Sequence, residues 1–99
     1  MIDYIANRVP REELLCQLAE EAAELGQAAL KLRRTMGDQN PTPVSYDEAL
    51  EGLHEEIADV KLVLKCLGMD SAYDRGRHLS IMQGKIGRWV RRLRGEENA

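Results

Sequence analysis

Leu18-Ala19-Glu20-Glu21-Ala22-Ala23-Glu24-Leu25 sets leucines seven residues apart and two glutamates, Glu21 and Glu24, three apart. Both spacings belong to a helix, on which residues three, four and seven apart share a face. Read outward from here, Leu14, Leu18, Ala22, Leu25, Ala29, Leu32 and Met36 continue a three-and-four rhythm for about seven turns. Upstream, Pro10 fits the first turn of a helix, and Glu12 and Glu13 suit its positive end. Downstream, Arg33 and Arg34 suit the last turn, and Gly37 reads as a left-handed cap. The first long helix therefore spans about 26 residues, roughly 39 Å.

Asn40, Pro41 and Pro43 cannot continue a helix, so Asp38 to Val44 reads as an exposed loop. Ser45 and Glu48 form a predicted capping box that opens a second helix. Its apolar stripe is Leu50, Leu53, Ile57, Val60, Leu64 and Leu67, and Gly68 ends it. Ser71 and Asp74 cap a third helix, with Leu79, Met82, Ile86, Trp89 and Leu93 on one side. The connection before it is short, which predicts that the second and third helices run antiparallel. Gly76, Gly84 and Gly87 weaken this helix and would allow a close approach by another backbone or a ligand. Met1 to Val9 fits either a helical turn or an extended arm, and no segment reads as a strand.

The expected fold is all-α: an antiparallel bundle of three long helices with a possible short N-terminal helix. Ninety-nine residues, 43% hydrophobic, suit one domain over 1–99. Three helices leave apolar surface uncovered, so a homodimer or homotetramer is expected to complete the core. The formal net charge of -3 disfavours nucleic acid as a partner. No apolar run is long enough to span a membrane, and no membrane partner is expected. Cys16 and Cys66 have no metal-ligand spacing and read as small core residues of a reduced, cytoplasmic protein.

The chemistry is carried by acid. Glu56 and Asp59, in Glu55-Glu56-Ile57-Ala58-Asp59-Val60, repeat on the second helix the three-residue spacing of Glu21 and Glu24. In a chain with 17 acidic residues one such pair arises easily by chance. Two pairs at the edges of successive apolar stripes are more specific, since ordinary surface glutamates favour the opposite face. Four carboxylates brought together repel one another unless a cation joins them, and hard oxygen donors suit Mg2+, with Mn2+ as the alternative. Lys85, Arg88 and Arg92 follow one line of the third helix and could meet phosphate, although cations near a helix C-terminus also complement its dipole. His54 and Trp89 read as packing residues, and Glu20 and Glu55 either orient a water or simply face solvent.

With its Glu21-Ala22-Ala23-Glu24 and Glu56-Ile57-Ala58-Asp59 words, the chain resembles the MazG-like all-alpha nucleoside triphosphate pyrophosphohydrolases. Their signature is E-x-x-E on one helix and E-x-x-D on the next. The 31 residues between Glu24 and Glu56 make a longer connection than the resemblance leads one to expect. The resemblance implies Mg2+-dependent cleavage of a nucleoside triphosphate to monophosphate and pyrophosphate. Glu21, Glu24, Glu56 and Asp59 would be the catalytic metal ligands, and Lys85 and Arg88 would hold the substrate's phosphates. One alternative is phosphoribosyl-ATP pyrophosphohydrolase, disfavoured by the long loop and by the lack of a lysine just before Glu20. Another is a non-catalytic helical interaction module with a degenerate acidic site.

Overall fold

The computed structural model describes residues 1–37 and 43–96, and among them finds four α-helices and no strand. They are α1 (Ile2–Arg8), α2 (Arg11–Arg34), α3 (Tyr46–Cys66) and α4 (Ala72–Leu93). The expected short N-terminal helix is thus α1, and the three long helices follow in order. Most of the predicted loop, at 38–42, lies outside the described residues. The chain divides into two compact units, Met1–Met69 and a second from Asp70 onward.

In the first unit α2 packs along α3, and α1 lies on α3. Residues near the start of α2 meet the end of α3: Leu14 clusters with Val63, Cys66 and Leu67, joined by Ile2, Val9, Leu18 and Met69. Arg11 Nη1 donates to the Leu67 carbonyl at 3.0 Å, so α2 helps to satisfy the exposed C-terminal carbonyls of α3.

The buried face of α2 is rotated slightly from the predicted stripe. Leu14, Leu18, Glu21, Leu25, Ala28, Leu32 and Thr35 are its buried or half-buried residues, whereas Ala22, Ala29 and Met36 are exposed. Their steps of four and three continue without interruption, and a glutamate occupies one of the inward positions. The predicted line drifted because Ala22, Ala29 and Met36 also lie three or four residues from leucines. Cys66 is buried as expected, but Cys16 is exposed; position 16 falls between turns of the inward line.

Helix ends follow the sequence in most places. At the start of α3, Ser45 Oγ accepts the Glu48 N–H at 3.2 Å, one half of the predicted box. Gly68 stands at φ +72°, and behind it the Met69 N–H reaches back to the Leu64 carbonyl at 3.0 Å. That arrangement closes α3, with Met69 folded onto the core. The predicted left-handed cap at Gly37 does not form; among the described residues only Gly68 and Gly95 have positive φ. Instead α2 ends at Thr35, whose Oγ1 donates to the Leu32 carbonyl at 2.7 Å.

The second unit is α4 with its caps. Ser71 and Asp74 form the complete reciprocal capping box, and the hydrogen bonds from Ser71 hold the Asp74 carboxyl below its ordinary value. Gly95, at φ +72°, closes the other end, where the Glu96 N–H bonds to the Arg91 carbonyl at 2.9 Å. A Cβ at Gly84 or Gly87 would stand 3.9 Å from Arg88 Nη1 or Arg91 Nη1, ordinary contact on the same helix.

Candidate metal centre

Because α2 and α3 pack side by side, their two acidic words meet. Glu21, Glu24, Glu56 and Asp59 each offer an oxygen, and these four atoms lie within 4.8 Å of one another. The cause is register. Glu21 stands on the inward line of α2 with Glu24 one turn further, and Glu56 is half-buried on the face of α3 that also carries Ala49 and Val63.

The electrostatics of the group are strained. Burial pushes the Glu56 carboxyl above the ordinary glutamate value, and the charges of Glu24, Asp59 and Glu21 push in the same direction. Gln17 Nε2 donates to Glu21 Oε1 at 2.7 Å and fixes that side chain's orientation. The second oxygens of Glu21 and Glu56 are shut off from solvent and have no hydrogen-bond partner among the described residues. A buried polar atom without a partner is uncommon and calls for a missing one.

A divalent cation suits this place. All four donors are hard carboxylate oxygens, and two of the four carboxylates, Glu21 and Glu56, carry an unpartnered oxygen. Oxygens on opposite sides of a single Mg2+ stand about 4 Å apart, so a 4.8 Å cluster is close to ligating dimensions.

Two clefts adjoin the cluster. One, of about 660 Å³, is walled by Glu24 and Glu56 and continues past Gln27 and Ala28 to Lys31 and Arg34, with Glu48, Ala49 and Gly52 opposite. The other, of about 480 Å³, is walled by Glu21 and Asp59 and is otherwise largely apolar, with Ile5, Val9, Leu62 and Val63. The quartet thus sits between a cleft with cations and a cleft with aliphatic side chains.

Of the residues singled out by sequence, the structure brings Glu21, Glu24, Glu56 and Asp59 together. Lys85 and Arg88 are exposed on α4, in the second unit. Lys31 and Arg34 escaped the sequence reading because cations at a helix C-terminus are ordinary dipole partners. The available signal was spacing: they follow Glu24 by seven and ten residues, two and three turns along the same side of one helix. Compared with protein families, with characterised proteins and with solved structures, the chain shows no match.

Proposed function

We propose that this protein is a Mg2+-dependent nucleoside triphosphate pyrophosphohydrolase of the MazG-like kind, with Mn2+ as an alternative metal. The observation that carries the proposal is the carboxylate quartet with its two buried, unpartnered oxygens beside an open cleft. Glu21, Glu24, Glu56 and Asp59 would hold the metal, which when bound neutralises phosphate charge and orients the attacking water. Water adds to the α-phosphorus, the bond from that phosphorus to the α–β bridging oxygen breaks, and the bridging oxygen leaves with pyrophosphate.

The chain's own residues perform the positioning. Gln17 fixes Glu21 through its 2.7 Å hydrogen bond. Packing of α2 on α3 holds the two pairs face to face, so little rearrangement is needed when substrate arrives. Among the described residues no helix is long and apolar enough to cross a membrane, in keeping with a cytoplasmic nucleotide enzyme. A second copy of the chain would supply apolar cover for the side of α4 that carries Leu79, Met82, Ile86, Trp89 and Leu93.

The test is pyrophosphate release from a panel of ribo- and deoxyribonucleoside triphosphates with Mg2+. Turnover of at least one nucleotide, lost in Glu56→Ala and in Asp59→Ala, is the expected result. If no nucleotide in the panel yields pyrophosphate, the reading is wrong.

A further inference from the structure

We infer that Lys31 and Arg34, at the far end of the cleft walled by Glu24 and Glu56, bind the substrate's β- and γ-phosphates and hold the pyrophosphate product. The inference rests on the pyrophosphohydrolase reading for the identity of the phosphate chain. It gives the phosphate-holding role to residues other than those that sequence alone suggested.

The geometry argues for it in three steps. First, Glu24, Lys31 and Arg34 share one side of α2, and the cleft runs continuously from the first to the last. At 1.5 Å per residue Lys31 is about 10 Å from Glu24 along the axis, a gap that a polyphosphate between a carboxylate-held metal and a long flexible side chain can bridge. Secondly, neither cation is in an ion pair among the described residues, so both are available to an anion. The helix dipole accounts for cations near this terminus but not for their lining the same cleft as two of the quartet's carboxylates. Thirdly, the alternative route is unsuitable. The cleft on the other side of the quartet is lined by Ile5, Val9, Leu62 and Val63 and contains no lysine or arginine among its lining residues.

A triphosphate therefore has one favourable direction. Its terminal phosphates point along α2 toward Lys31 and Arg34, where charge-assisted hydrogen bonds can form. The nucleoside end is directed the other way, toward the aliphatic cleft.

The experiment is calorimetric titration of inorganic pyrophosphate in the presence of Mg2+, which requires no turnover. Wild type is expected to bind. The double variant Lys31→Met/Arg34→Met should bind at least tenfold more weakly, and each single variant should show part of that loss. Because both side chains are exposed, the variants should fold, and a retained rise in melting temperature with Mg2+ alone would show that the quartet is intact. Three results would overturn the inference: unchanged affinity in the double variant, loss in Lys85→Ala/Arg88→Ala instead, or no pyrophosphate binding by wild type. Failure of the wider reading is a separate result, read as absence of pyrophosphate release from nucleotides by wild type.

Discussion

The start and the middle of the α2–α3 seam are built from the same helical rhythm and carry opposite chemistry. Where α2 begins, the inward position is Leu14, buried against Val63, Cys66 and Leu67. Two turns later the inward position is Glu21, facing Glu56. One end exchanges water for close apolar contact, the main source of folding stability. The middle brings like charges together, which disfavours the folded state in the absence of a neutralising cation. The seam is thus a clamp: its apolar end holds the helices at the separation that its acidic middle resists.

The largest expected effect removes the acidic middle. Asp59→Ala should abolish pyrophosphate release and leave the helical circular dichroism spectrum unchanged; an active variant would separate the quartet from catalysis. Next in size is damage to the apolar end. Leu14→Ala should cost about 2–5 kcal/mol, the usual range for a buried leucine, and thermal melts should show a drop of more than ten degrees. Should that variant melt like wild type, Leu14 does not clamp the seam.

A smaller change should reverse the sign. Glu56→Gln removes one charge from the crowded group, so without metal the variant should melt above wild type, and added Mg2+ should raise its melting point less. A lower metal-free melting point would mean that the quartet's repulsion is not what limits stability.

The smallest effect concerns α4. The Asp74 carboxyl is held below its ordinary 3.8 by the Ser71 hydrogen bonds. A depressed acid adds stability above its unfolded value and loses it as pH falls through the folded one. Helicity should therefore decline slightly as pH drops below about 4, and Ser71→Ala should flatten that decline. Equal acid sensitivity in the two proteins would assign the effect to other carboxyls.

The all-α class, the long helices and most of their ends were legible in the sequence. Ser45, Gly68 and Ser71 all act at the helix ends where their side chains or freedom at positive φ suit the backbone. Local chemistry decides such ends, so they are readable without tertiary information. Gly37 shows the limit: a glycine after two arginines looks like a cap, but Thr35 ends the helix with its own hydroxyl. The quartet was legible because spacing puts each pair on one face. What spacing could not supply was the opposing wall. Lys31 and Arg34 become informative only when Ala49 and Gly52 of α3 lie across a cleft from them, and that depends on how two helices meet.

Gly52 lies in the wall of that cleft, and a Cβ placed on it would meet nothing within 4 Å. An alanine there would steady α3 by about 1 kcal/mol through helix propensity alone. The glycine leaves that gain unused, and what the chain keeps instead is volume. A methyl group at position 52 would therefore narrow the passage beside the quartet without touching a neighbouring atom.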